Sequence, residues 1–294
     1  MLQLRERSLS VVITVLIKMD LKIVDKIIRD ALFEDMPEGD VATDNVIPEN
    51  HISHARFIAK EDGVLSGIEV VKRVFELAGA NVTIKFNYKD GDKVSKGDII
   101  GLIDGNTRTM LKGERVALNL MQRMSGIATT TSKYVSELTG KTKLLDTRKT
   151  TPNLRYLEKM AVVHGGGTNH RFSLSDMAML KDNHIVASGG ITAAVKKLRE
   201  KTNIKCEVEV ETREQFLEAL STNCDIIMLD NMNNEDTLWC VEHNDSKHLL
   251  EASGNMTLNR IKEVSSLGVD FISVGALTHS PRALDISLKF YDLK

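Results

Sequence analysis

The pattern of apolar and polar positions changes character near residue 140 of this chain. Before that point it switches between helical and strand periods; after it, short apolar runs alternate with amphipathic helices. LKIVDKIIRDALFED carries apolar residues at helical spacing with Asp20 placed to cap it, which predicts a helix from about Leu21 to Phe33. Turn formers fill EGDVATDNVIPE. HARFIAKEDGVLSG alternates as a strand pair, IEVVKRVFELAG reads as a helix stopped at Gly79, and VTIKFNYKDGDKVSKGDIIGLIDG reads as strands joined by glycine turns. These elements make an α+β domain, and a long helical stretch, LKGERVALNLMQRMSGIATTTSKYVSEL, leads out of it.

From Leu144 onward six apolar runs recur: KLLDTRK, MAMLKDNH, CEVEVE, DIIMLDN, HLLEASGN and DFISVGA, separated mostly by helical segments such as ITAAVKKLREK and TLNRIKEVSSLG. Repeated βα units make parallel strands, and continuously apolar strands are covered on both faces. Each run ends in chemically loaded or turn-forming residues: Arg148 and Lys149, Lys181 and Asp182, Glu209 and Glu211, Asp230 and Asn231, Ser253 and Gly254, Gly275 and Ala276. A (β/α) barrel keeps its active site at those C-terminal strand ends. The rival is an open dinucleotide-binding sheet, but no G-x-G-x-x-G opens a helix after the first strand.

Composition sharpens the picture in three places. With 294 residues, 42% of them hydrophobic, the chain is long enough for one large or two ordinary domains, and its formal charge of -2 argues against a general nucleic-acid binder. Yet the run from Asp146 to His184 gathers Arg148, Lys149, Arg155, Lys159, His164, His170, Arg171, Lys181 and His184 around a glycine triplet. Arginine meets a carboxylate or phosphate with a planar fork and lysine with a mobile point charge, so the partner is a small anion. Glu209 and Asp230, on an opposite arc if the strands close, suit Mg2+ held through carboxylates and substrate phosphates. The plainer alternatives are surface alternation for Glu209 and a helix cap for Asp230.

Cys206, Cys224 and Cys240 form no CxxC pair, which argues against zinc and disulfides and fits a reducing cytoplasm. Leu9 to Ile17 is too short to span a bilayer, so no membrane association is expected; Met19 is read as the natural start, or residues 1–18 as a loose extension. Arg155, Lys159 and His164 read as parts of one helix, and Arg123 as a partner in a structural ion pair. His51, His54, His243 and His248 read as surface positions, and Trp239 as filling core or interface.

GERVALNLMQRMSGIAT, LLDTRKTTPNLR, GGGTNHR, LKDNH, EVEV, LDN and VGALTHS, in this order and spacing, closely resemble the quinolinate phosphoribosyltransferase family, from about Leu21 to the C-terminus. The resemblance implies an N-terminal α/β sandwich over residues 19–125, completed by 283–294, and an incomplete, TIM-like α/β barrel over 126–282. It implies transfer of phosphoribose from 5-phosphoribosyl-1-pyrophosphate to quinolinate with loss of carbon dioxide, requiring Mg2+, in NAD biosynthesis. It also implies a homodimer with shared sites. Carried over residue by residue, the pattern assigns Arg115 (from the partner subunit), Arg148, Lys149, His170, Arg171 and Lys181 to quinolinate. Lys149, Lys181, Glu209 and Asp230 fall to the ribose and metal-pyrophosphate, with Lys149, Glu209 and Asp230 as the catalytic set. Ser253, Gly254, Gly275 and Ala276 fall to the 5-phosphate, and His279 to the same substrate. Asn153 stands where the family commonly has Gly, and Asn tolerates left-handed backbone angles. A molybdenum-associated pyrophosphorylase-like paralogue and a nicotinate phosphoribosyltransferase are the nearest alternatives. An anion-binding regulatory or storage barrel is the alternative outside enzymes.

Overall fold

In the computed structural model, which describes residues 19–291, the chain forms two compact units. One comprises residues 19–132, 150–166 and 277–291; the other comprises 133–149 and 167–276. The expectations for residues 1–18 lie outside the described residues.

The first unit opens with the helix Leu21–Asp35. Asp20 caps it by accepting from the Lys22 amide at 2.9 Å, and Val24, Ile28 and Leu32, spaced by four, form its buried stripe. Strands β1 (Ile52–Ala59), β2 (Gly63–Val64), β3 (Val82–Phe86), β4 (Lys93–Val94) and β5 (Ile99–Asn106) follow, all paired antiparallel. The helix Ile68–Ala78 ends at Gly79, as its sequence predicts, and brings Phe75 edge-on to Phe57 with centroids 6.4 Å apart. The next helix, Thr107–Ser136, runs for thirty residues. Gly126 within it has the Arg282 carbonyl so close that a Cβ would lie 1.9 Å from the oxygen, so only glycine admits the returning chain there.

The second unit is a parallel sheet. The six apolar runs become β6 (Lys143–Leu145), β7 (Ala178–Leu180), β8 (Cys206–Val210), β9 (Ile226–Asp230), β10 (Leu249–Ser253) and β11 (Phe271–Ser273). Their order is β6-β11-β10-β9-β8-β7. The first strand thus lies beside the last and the sheet curls as a barrel, with β6 and β7 as its two open edges. At the β6 edge an isolated bridge pairs Leu145 with Thr168, in the segment that leads to β7. The helix Arg155–His164, which lies between β6 and β7 in sequence, belongs to the other unit. The chain ends in β12 (Ile286–Tyr291), antiparallel to β1, so the first unit's sheet reads β12-β1-β5-β3.

Register sets the levels inside the barrel. Glu207 and Leu249 are level with Ile226, Glu209 and Glu251 with Met228, and Ser253 with Asp230. Strand periodicity sends these residues to one face. Cys206, Val208 and Val210 on the other face of β8 are fully buried, so CEVEVE is not a surface strand: both of its faces are covered. No helix among the described residues is long and apolar enough to cross a membrane.

Candidate active site

At the C-terminal ends of the parallel strands opens a cavity of about 650 Å3. Nine of the residues expected from sequence line it together: Arg148, Lys149, His170, Arg171, Lys181, Glu209, Asp230, Ser253 and Gly254. Four do not. Arg115 is exposed on the helix Thr107–Ser136, and His279 is exposed with Nδ1 2.7 Å from the Ser280 hydroxyl; both belong to the other unit. Gly275 and Ala276 follow β11 but are not among the lining residues.

The cationic arc is carried mainly by loops, and a buried acid holds two of them together. Asp146, at the end of β6, is fully buried. Its carboxylate accepts from the His170 amide at 2.9 Å and from the Asn169 side chain at 2.6 Å, which ties the NHR segment to the strand that ends in Arg148 and Lys149. Arg171 donates through Nη1 to the Met177 carbonyl at 3.0 Å. Burial first, and then the Arg148 charge, lower its pKa. Two guanidinium groups in one partly dry place favour an anion between them. Asn153 sits at φ 67°, so the turn expected to survive the loss of glycine does adopt the left-handed conformation.

Strand ends hold the acidic arc. Glu209 Oε2 accepts from Lys181 Nζ at 2.5 Å, across the neighbouring strands β8 and β7. Asp230 closes β9 and accepts from the Asn231 side chain at 2.8 Å. Gly254, at φ 93°, packs against that asparagine so closely that a Cβ would lie 2.1 Å from Asn231 Oδ1. Glycine is required there by both conformation and space.

Below this ring lies a group that sequence reasoning missed. Glu207 and Glu251 are both fully buried, and the His170 ring stands between them with Nε2 at 3.1 Å and 3.2 Å from their carboxylates. Its Nδ1 accepts from the Arg171 amide at 2.7 Å. Burial by itself would lower the His170 pKa, but the charges of Glu251 and Glu207 outweigh it and push the value up to about 10. These two influences pull apart, since a doubly protonated ring has no acceptor for the Arg171 amide. The backbone contact is fixed geometry, so we place the ring proton on Nε2 and the second proton within the carboxylate pair, where burial and Glu251 push Glu207 up to about 7. The signal available in sequence was a glutamate inside the apolar run LLEAS and a second glutamate, besides Glu209, inside CEVEV.

Other expectations resolve simply. Arg123 donates to the buried Glu158 at 2.6 Å and 2.9 Å, the ion pair expected of it. His164 ends its helix with Nδ1 2.8 Å from the Ser66 hydroxyl. His248, expected at the surface, is buried instead, and its burial lowers its pKa; it precedes β10, whose pairing with β9 carries it inward.

A curled parallel sheet with guanidinium groups on one arc and carboxylates on the other defines an α/β enzyme for a small polyanionic substrate. Comparison with known proteins narrows the class. Residues 127–289 match the model of the quinolinate phosphoribosyl transferase C-terminal domain, and residues 40–125 match that of the N-terminal domain. The chloroplastic nicotinate-nucleotide pyrophosphorylase (carboxylating) of Arabidopsis thaliana is 45% identical over 92% of this chain and 82% of its own length. The mitochondrial quinolinate phosphoribosyltransferase (decarboxylating) 2b of Nicotiana tabacum is 43% identical over the same shares. The crystal structure of NadC from Streptococcus pyogenes superposes with a TM-score of 0.89 at 41% identity, covering 94% of this chain and 99% of that one. The chain belongs to the quinolinate phosphoribosyltransferase family. These matches carry names that specify carboxylation or decarboxylation, so the molybdenum-associated and nicotinate-specific alternatives fall away. A human nicotinic acid phosphoribosyltransferase shares the fold at 9% identity, which speaks to fold alone.

Proposed function

We propose that the cavity at the β6–β11 strand ends is where this chain joins quinolinate to the ribose of 5-phosphoribosyl-1-pyrophosphate, releasing pyrophosphate and carbon dioxide and leaving nicotinate mononucleotide. The observation that carries this reading is the placement of the two arcs in one cavity, with Arg148 and Arg171 on one side and Glu209 and Asp230 on the other. Arg148 and Arg171 grip the two ring carboxylates, and Lys149 reaches both reactants. As the ribose C1–O bond to pyrophosphate breaks, positive charge grows on the sugar, and Glu209 and Asp230 face it. The pyridine nitrogen donates its electron pair to that carbon. The ring is then cationic, so when the bond to the adjacent carboxyl breaks and carbon dioxide leaves, the ring holds the electron pair until it takes up a proton.

Magnesium takes hard oxygen ligands and binds through one or two carboxylates together with phosphates. Glu209 and Asp230 offer such oxygens on adjacent strands, so the donor set fits. When bound there, the ion would supply charge neutralisation for the departing pyrophosphate. Ser253 and Gly254, with Gly275, Ala276 and His279, are assigned to the phosphate groups of the same substrate.

A homodimer completes the site in this proposal, with Arg115 of one protomer serving the other; its exposure in the single chain supports that role. Mixing an Arg115 variant with a Lys149 variant should restore part of the activity, and no recovery despite proven subunit exchange would refute it. A cytoplasmic location belongs to the same proposal, and finding the protein only in another fraction would overturn it. Incubating the purified chain with quinolinate, phosphoribosyl pyrophosphate and Mg2+ should yield carbon dioxide and nicotinate mononucleotide. Product from nicotinate and none from quinolinate would overturn the reading.

A further inference from the structure

Two of the residues proposed for quinolinate, His170 and Arg171, stand in a loop beside an edge strand of the barrel. They lie in the segment that leads to β7, which meets the edge strand β6 through an isolated bridge, Leu145 to Thr168. They also line a second cavity of about 180 Å3. Something other than a strand ladder has to fix them.

We propose that Glu207 and Glu251 are positioning residues that clamp the His170 ring, and through it Arg171, across the open edge of the barrel. The geometry supplies the clamp from opposite sides. Glu207 comes from β8 and Glu251 from β10, with β9 between them, and both reach the same ring nitrogen. The opposite ring nitrogen receives the Arg171 amide, and the His170 amide is held by Asp146, the residue that follows β6. One short segment is therefore tied to three strands of the sheet. The His170 ring, with Nε2 at 3.1 Å and 3.2 Å from the two carboxylates, is the group that stands against their burial. Two buried carboxylates are costly to keep around one ring, and a plain apolar floor would be the cheaper way to fill that space.

The inference rests on the quinolinate reading for its kinetic arm but not for its structural arm. In Glu251→Leu, the KM for quinolinate should rise about tenfold or more, while that for phosphoribosyl pyrophosphate stays within about twofold. Glu251→Gln, which can still accept from Nε2–H, should restore most of the loss. In a His170→Asn background the same Leu substitution should have little further effect, because its route is gone. Equal rises in both KM values, or effects that simply add, would overturn the clamp. Independently of any substrate, hydrogen exchange of residues 168–173 should quicken in Glu251→Leu while β9 keeps its protection. Unchanged exchange would overturn the proposal. His170→Asn, expected to loosen the same segment, decides the matter if Glu251→Leu does not fold. A histidine with two glutamates is also the composition of a metal site. One equivalent of transition metal in the purified protein, lost in Glu251→Gln, would replace the clamp with that assignment. A wild type that ignores quinolinate would sink the functional reading while leaving the exchange test intact.

Discussion

The two arcs of the cavity are built on different principles. The acidic arc rests on consecutive strands whose register fixes its residues, whereas much of the cationic arc rests on loop segments held by side chains such as Asp146. Strand register leaves little freedom, and on the proposed function Glu209 and Asp230 face a charge that exists only in the transition state. On the same proposal the loop-borne arginines face a charge that the substrate carries throughout. The difference predicts that the acidic arc governs turnover and the cationic arc governs affinity.

The largest effect should come from the strand side. Asp230→Ala or Glu209→Ala is expected to lower kcat on the order of 100- to 1,000-fold, with a smaller change in quinolinate KM. Chelation of Mg2+ should act in the same sense. Steady-state kinetics with both substrates decide this, and a pure KM effect would erase the distinction between the arcs.

On the loop side, Arg148→Ala or Arg171→Ala removes a charge-assisted contact worth roughly 1.5–3 kcal/mol, which is on the order of tenfold to a few hundredfold in quinolinate KM. Wild-type quinolinate kinetics in either variant would refute its place in the cationic arc. Gly254→Ala sharpens the comparison from the other direction. It forces a methyl onto Asn231 beside Asp230 and should cost about 1–3 kcal/mol of stability in urea unfolding, while leaving the arginine arc's affinity intact.

The smallest effect is a pH dependence. Glu207 in the folded chain keeps the proton of the carboxylate pair up to about pH 7, against an ordinary value near 4.5. Its contribution to stability is therefore fully present below about pH 4.5 and is lost as pH rises through about 7. Wild type should lose stability relative to a Glu207→Gln, Glu251→Gln double variant over that window. Parallel pH profiles for the two would show that the trio does not titrate as a unit.

Much of this was legible in sequence for a physical reason. A buried parallel strand announces itself by an unbroken apolar run, and the residue after the run falls at the mouth, so β6 to β11 and seven of the nine lining residues could be read directly, while His170 and Arg171, which follow no run, were reached through the family resemblance. Asn153 was legible because its conformation is a local property. The floor was not. Glu207 and Glu209 alternate identically in CEVEV, and nothing in the string says that one lies a level deeper than the other; that depth comes from the register with β9. Asp146 read as the start of a cationic run because its partners, Asn169 and His170, are more than twenty residues away. His248 likewise depended on where β10 pairs.

The contact between Asn231 and Gly254 reaches beyond this one chain. Space at that point is shared between two turns, so whatever one position gains in volume the other has to surrender. Relatives that carry a larger residue after the β10 serine should show a smaller one after the β9 aspartate. A Gly254→Ala chain should recover only part of its loss when Asn231→Gly is added, because the backbone angle of 93° strains alanine whatever the space. The two turns would then form a single inherited unit, exchanged together or not at all.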